Sequence, residues 1–405
     1  MLSLLHPSPR LHRAVLALAL LLPGAAGAAE GTPIPASLPK PPLRAQVIDA
    51  AIQIGYGLAV ADVDGDGRDD LLLADAREIV WYRNPSWTKS VMARQLTPKD
   101  HVCIAARDLD GDGRAEVAVG AGWNPGDTTG SGALFYLERP ADPTQLWRPV
   151  PLPYEPTTHR MHWVIPSGGE ALLAVLPLHG RGNQNGAGAG IRFLAYQRPA
   201  RVDAPWPVVE LDATLHLAHN FDPDASGNSL LVAAKEGVHR LVRGESGWSR
   251  HRLTTLPAGE VRSGRAADGS TYLVTIEPMH GHQVAVYPRE GAGARISLDE
   301  NLIQGHGLAT GDLLGLGHDQ VVAGWRGAGP GSSYGIRLYA AGDAGATTWA
   351  LRAVIDDHVM ACEDLKLADL DRDGDLDLIA CGRATHNVII YWNERIPSAF
   401  KSAAR

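Results

Sequence analysis

Acidic turns are the first chemistry this chain offers. Asp62-x-Asp64-x-Asp66-Gly-x-x-Asp70 places carboxylates at alternate positions around a turn relaxed by glycine. Hard cations such as Ca²⁺ take roughly six to eight oxygens, and such a turn supplies several together with a backbone carbonyl. Asp108, Asp110, Asp112 and Glu116 repeat the pattern, as do Asp369, Asp371, Asp373 and Asp377. Without a cation so many carboxylates would repel one another, so the spacing predicts structural calcium in all three loops. The loop opens like an EF-hand, but its twelfth position is Leu73 rather than a bidentate glutamate. A worn copy retains only Asp312 and Asp319 and is expected to hold no ion.

Nitrogen-bearing and aromatic side chains form the second set. His101, His159, His162, His179, His280, His282, His306 and His386 sit beside glycines or at the edges of apolar runs, in company with Arg181, Arg326, Arg383 and Glu363. Imidazole serves as a metal ligand or as a base near neutrality, and guanidinium forks match carboxylate or enolate oxygens. Tyr56, Trp123 and Trp325 add aromatic faces for a polar, anionic or hydroxyl-rich ligand. None of the spacings matches a zinc motif such as H-E-x-x-H, and no phosphate loop or dinucleotide fingerprint occurs.

The elements that position these groups are short strands in a repeating unit. Gly57–Ala74 is echoed by Cys103–Gly120, Leu308–Ala323 and Leu365–Ala380, with fainter copies at His159–Leu176, His216–Ala233 and Glu260–Ile276. Each unit reads strand, turn, strand, glycine turn and a third strand such as Ile79–Tyr82; a fourth strand often opens at tryptophan (Trp87, Trp147, Trp206, Trp248, Trp349). Four strands per unit of roughly 50 residues is the pattern of a propeller blade. Seven units predict an all-β, seven-bladed β-propeller over residues 43–397. The N-terminal strand within Leu43–Ile54 is expected to complete the last blade and leave no open sheet edge. Acidic loops then share one face, while the histidines, arginines and tryptophans gather on the other.

Composition agrees with a globular domain. The chain has 405 residues, 45% hydrophobic and 20% charged, with a formal net charge of −8. That balance excludes a disordered or collagen-like chain, and no basic surface is available for nucleic acid. Three cysteines form no disulfide framework, and Cys103 and Cys362 read as small buried residues. Arg10, His12 and Arg13, the apolar run Ala14–Leu22 and the small residues Ala26-Gly27-Ala28 read as a signal peptide over residues 1–28. An extended leader over residues 29–42 and a tail over residues 398–405 flank the propeller. The expected location is periplasmic or secreted, with no membrane span after cleavage.

The acidic repeat resembles the calcium-loop propellers with FG-GAP or VCBS repeats, including integrin α heads, most clearly in blades 1, 2, 6 and 7. A second resemblance rests on His159-Arg-Met-His162-Trp163, Leu176-Pro-Leu-His179-Gly-Arg181-Gly182 and His280-Gly-His282. It extends to Gly305-His306-Gly307, Ala323-Gly-Trp325-Arg326, Cys362-Glu363-Asp364 and Gly382-Arg383-Ala-Thr-His386-Asn387. These segments look like the propeller domain of aldos-2-ulose dehydratases, which remove water from oxidised sugars such as 1,5-anhydrofructose. That family adds a cupin region for isomerisation, which these residues do not contain, so isomerase activity is not expected. Related propellers are polysaccharide lyases on uronate-containing glycans.

The resemblance implies β-elimination on a small sugar or oligosaccharide. On this reading His159 or His179 is the base, and Arg181, Arg326 and Arg383 bind the enolate oxygen or a carboxylate. Tyr56, Trp123, His162, Trp325 and His386 contact substrate. His101, His280, His282, His306 and Glu363 are the candidate ligands for a second divalent metal, zinc or magnesium. The competing expectations are a non-catalytic propeller that binds glycan or protein, and a metal-dependent hydrolase.

Overall fold

Segments such as Asp70–Ala74 (Asp-Leu-Leu-Leu-Ala) are apolar on both faces and must be covered on both. The computed structural model covers them by stacking sheets, and all five residues are buried. It describes residues 41–330 and 332–395; the expected signal peptide, nearly all of the leader and the C-terminal tail lie outside these. Seven four-stranded antiparallel sheets follow one another along the chain as seven blades. Their innermost strands are Gly57–Ala61, Cys103–Arg107, Thr158–Val164, Ala218–Pro223, Glu260–Arg265, Gly305–Gly311 and Cys362–Ala368. Each meets the next, and the last meets the first, so the ring is closed around an axial channel. Leu43–Asp49 lies outermost in blade 7, antiparallel to Asn387–Asn393, with Leu43 opposite Asn393. Among the described residues the sole helical element is the 3₁₀ turn Arg289–Gly291.

Packing energy is concentrated between blades. Leu71, Leu72 and Leu73 are fully buried, as are Trp81 and Tyr82 on the third strand of blade 1. Each such leucine contributes about 1.5–3 kcal/mol by leaving water. The second and third strands therefore carry the stability, which leaves the inner strands free to hold polar groups. Tryptophans anchor several outer strands: Trp147 and Trp206 are buried and donate Nε1–H to Pro143 O and Val202 O, both at 3.0 Å. Trp349 does the same toward Ala346 O at 2.9 Å. Outermost strands such as Gly247–Arg252 carry Arg250, His251 and Arg252, charges that discourage edge-to-edge pairing.

Candidate active site at the mouth of the channel

Four inner strands begin with a β-bulge, and the bulged residues are His159, His219, His306 and Glu363. Thr158 pairs with Pro177 and Arg160 with Leu176, which leaves His159 as the extra residue. The same slip isolates His219 between Ala218 and Asn220, His306 between Gly305 and Gly307, and Glu363 between Cys362 and Asp364. A bulge re-aims the side chain it carries. These four occupy equivalent places in blades 3, 4, 6 and 7, at the end of the channel opposite the acidic loops.

Each bulged histidine is fixed by a carbonyl of the following blade. His159 Nδ1 bonds to His219 O at 2.9 Å, His219 Nδ1 to Gly259 O at 3.1 Å, and His306 Nδ1 to Glu363 O. A carbonyl only accepts, so Nδ1 carries the ring proton and Nε2 is left as a lone pair. His219 Nδ1 also lies 3.0 Å from Glu260 Oε1, the carboxylate–histidine arrangement that orients metal ligands. His280, from the turn after the second strand of blade 5, brings its Nε2 to 2.7 Å from that of His219 and stacks on His306, with ring centres 4.9 Å apart. One ring nitrogen from each of His219, His280 and His306 lies within 4.8 Å of the others. A proton on His280 or a shared cation reconciles the two close nitrogens. Burial holds His159, His219 and His306 well below the ordinary imidazole range, helped by nearby cationic side chains, so all three are neutral. His280 is lowered by desolvation and by His219, yet keeps an exposed edge through which solvent reaches the cluster.

The rest of the mouth continues this arc. Trp123 stacks on His159 at 4.8 Å. Glu363, 2% exposed, is gripped by Arg326 Nη1 at 2.6 Å and Arg383 Nη1 at 3.0 Å. Arg383 lies over the ring of Tyr56, whose hydroxyl donates to Asp100 at 3.0 Å. Burial and then Asp100 push the Tyr56 phenol up to about 12, so it remains a proton donor. Below the cluster, Arg160 and His162 line the channel with Asn220, Asp364 and Lys366. The channel widens to a cavity of about 340 Å³ toward the acidic loops. His162 meets Phe221 edge-on, and burial lowers it to about 3.

Other expected site residues lie apart. His101 is fully buried with both ring nitrogens engaged, Nδ1 with Asp75 O at 3.1 Å and Nε2 with the Leu96 amide at 3.3 Å. His282 is exposed and outside the cluster. His179 packs between blades 3 and 4 against Thr157. Arg181 is exposed and pairs with Glu155 at 3.4 Å. Trp325 is buried in blade 6, its indole N–H donated to Ser333 O and its face covered by Arg337. His386 bonds to Gln53 O at 2.8 Å from an exposed turn. In the other direction, His219, Arg160, Asp100 and Glu260 belong to the mouth and were not among the expected residues. The signal for His219 is its register: Ala218-His219-Asn220-Phe221 aligns with Thr158-His159-Arg160-Met161 and Gly305-His306-Gly307-Leu308.

On the opposite face, carboxylate oxygens of Asp62, Asp64 and Asp66 converge, as do those of Asp108, Asp110 and Glu116, and of Asp369, Asp371 and Asp377. Part of this acidity folds the loop itself. Asp62 accepts the amides of Gly65 and Gly67, both at 2.7 Å. Asp112 and Asp373 accept backbone amides within their own loops. Asp70 turns inward to the amides of Val63 and Asn84, and Asp377 to those of Leu370 and Asn393. Burial, with neighbouring carboxylates adding to it, raises Asp70 and Asp377 to about 7.

Comparison with known proteins agrees with the fold. An FG-GAP-like repeat matches residues 62–119 and an FG-GAP repeat matches residues 104–137, from the acidic loop of blade 1 to the third strand of blade 2. No curated protein matches. A chain of the mitotic checkpoint complex is 12% identical, with a TM-score of 0.56, covering 94% of this chain and 99% of that one. The WD40 β-propeller domain of Doa1 is 10% identical, with a TM-score of 0.53, covering 87% and 98%. At such identities the likeness is one of fold alone. Propeller domains of the FG-GAP type are typically extracellular. Among the described residues no helix is long and apolar enough to cross a membrane. The chain is an all-β, seven-bladed propeller whose first two blades carry FG-GAP repeats.

Proposed function

We propose that this propeller is an exported carbohydrate lyase of the aldos-2-ulose dehydratase kind. It would eliminate water, or a glycosidic oxygen, β to the carbonyl of an oxidised sugar at the channel mouth. One observation carries the reading: neutral imidazoles of His219, His280 and His306 converge beside a carboxylate held by two arginines. Two of their Nε2 lone pairs are set by carbonyls behind them. Three imidazoles with open space on one side suit zinc, whereas magnesium prefers oxygen ligands. A divalent ion bound there would polarise the sugar carbonyl.

The chain's own groups supply the remaining roles. His159 is the base in this scheme, neutral and with its Nδ1 proton engaged; Arg160 Nη1 occupies its Nε2 at 3.2 Å until a substrate C–H displaces it. The pair of electrons from that C–H forms the double bond as the β C–O bond breaks. The Tyr56 hydroxyl, kept undissociated by burial and Asp100, would supply the proton to the departing oxygen. Arg326 and Arg383 are positioning residues that hold Glu363 and present positive charge to the developing oxyanion. In the opposite loops, three converging carboxylates suit calcium, whose role would be structural. Export to the periplasm or beyond is consistent with the signal-like N-terminus.

The test is product analysis by mass spectrometry after incubation with keto-sugars and uronate oligosaccharides. Wild-type protein is expected to yield a product short of one water, or a chain with an unsaturated end; His306→Ala is expected to yield neither. Equal product from both would remove the cluster from the chemistry, and a saturated hydrolysis product would replace elimination by hydrolysis.

A further inference from the structure

A second polar cavity opens on the same face, at the outer part of blade 4, with a volume of about 380 Å³. We propose that it is a sugar subsite, holding a hydroxyl-rich ring of an oligosaccharide whose oxidised unit lies at the histidine cluster. The inference rests on the lyase reading and deepens it, because it makes the substrate an oligosaccharide rather than a free monosaccharide.

Two unspent polar groups in its lining carry the argument. His239 is 1% exposed, and its Nδ1 accepts from Arg250 Nη1 at 2.8 Å. A guanidinium can only donate, so the proton of this neutral ring is on Nε2. That Nε2–H is buried and has no partner among the described residues. In the same lining, the amide and Nδ1 of His216 both engage Glu236 Oε1, at 3.0 and 2.8 Å. Glu236 Oε2 is left buried and unpartnered among the described residues. One buried donor and one buried acceptor in the same cavity call for a ligand that both accepts and donates, which is what a hydroxyl does. Arg252 lines the rim and has no carboxylate within 4.0 Å among the described residues, so a second hydroxyl or a carboxylate can be met there.

Position ties the cavity to the channel mouth. His216 lines the cavity and His219 lies in the cluster, three residues along the same chain. Their α-carbons are therefore at most about 11 Å apart. That is within the span of a short oligosaccharide.

The experiment is calorimetric titration of the mature protein with maltotriose, cellotriose and trigalacturonate, each beside its monosaccharide. At least one trisaccharide is expected to bind about tenfold more tightly than its monosaccharide. Glu236→Gln, which replaces the acceptor by an amide, and Arg252→Ala, on the surface, are each expected to erase that advantage without altering the circular dichroism. His280→Ala, disabled at the cluster, should keep it. Equal binding of tri- and monosaccharides, no binding of any, or an unchanged advantage in Glu236→Gln would overturn the subsite. A wild-type protein that converts no sugar yet shows the Glu236 effect would sink the lyase reading and leave the subsite standing.

Discussion

Replacing Glu260 by glutamine probes how the histidine cluster is tuned. The carboxylate lies 3.0 Å from His219 Nδ1 and is 1% exposed. Its negative charge makes the imidazole a stronger ligand, and removing such an outer partner weakens metal binding by about 10–100-fold. The Gly259 carbonyl, 3.1 Å from the same Nδ1, still orients the ring in the variant. Glutamine has one acceptor oxygen, so if it keeps the contacts with Asn220 and Arg262 its amide NH₂ faces the His219 Nδ1–H and that contact is lost. Both the charge and one accepted hydrogen bond are lost, so the full range applies: about 10–100-fold, or about 1.4–2.8 kcal/mol. The assay is competition for zinc between metal-stripped protein and a chelating dye at neutral pH, with circular dichroism to confirm the fold. Wild-type affinity in a folded Glu260→Gln protein would refute charge tuning by this carboxylate. Wild-type affinity in His306→Ala as well would refute the cluster as a metal site.

Glu363→Gln leaves two guanidiniums without their shared carboxylate, a change worth about 3–5 kcal/mol at buried sites. Arg383 is partly exposed, so about 3 kcal/mol is expected, read from urea unfolding together with a fall in kcat; unchanged values of both would dismiss the Arg–Glu–Arg clamp. His101→Ala should cost about 2–4 kcal/mol, through a cavity and an orphaned amide and carbonyl, while leaving zinc affinity intact. Loss of zinc binding there would return His101 to the site. The acidic loops make apo stability depend on pH in an unusual direction. Asp70 and Asp377, raised to about 7, keep their protons in the folded state while the unfolded chain releases them near 4. The folded state binds more protons across that window, so chelated protein should lose stability as pH rises from about 4 to about 7. Excess calcium should abolish or reverse the trend in thermal melts, and a chelated protein that gains stability over the same range would contradict it.

Strand order and blade count follow from features visible at the residue level. Apolar runs recur beside glycine turns, and tryptophans such as Trp147 and Trp206 mark outer strands because their indoles close the preceding loop. The site was only partly readable, because a bulge adds a residue and turns a side chain without any change in composition. His219 sits three residues beyond His216, the first residue of the fourth repeat, and so stands out of phase with its equivalents His159 and His306. His101 precedes an inner strand that pairs without a bulge, so its ring turns into the blade wall. Trp123 lies two residues past the second strand of blade 2 and Trp325 ends that of blade 6, yet Trp123 faces His159 while Trp325 is sealed by Arg337 and Ser333. Such differences depend on which neighbour fills the space, and sequence spacing alone does not specify that.

The central claim is metal-dependent elimination at the channel mouth. Ultraviolet absorbance tests it most directly, on purified mature protein given keto-sugars and uronate oligosaccharides, first with chelator and then with zinc restored. New enone or unsaturated-uronate absorbance that chelation abolishes and zinc restores is the result this account predicts. Folded, zinc-loaded protein that produces no absorbance with any of these sugars would contradict it and leave a propeller that binds without converting.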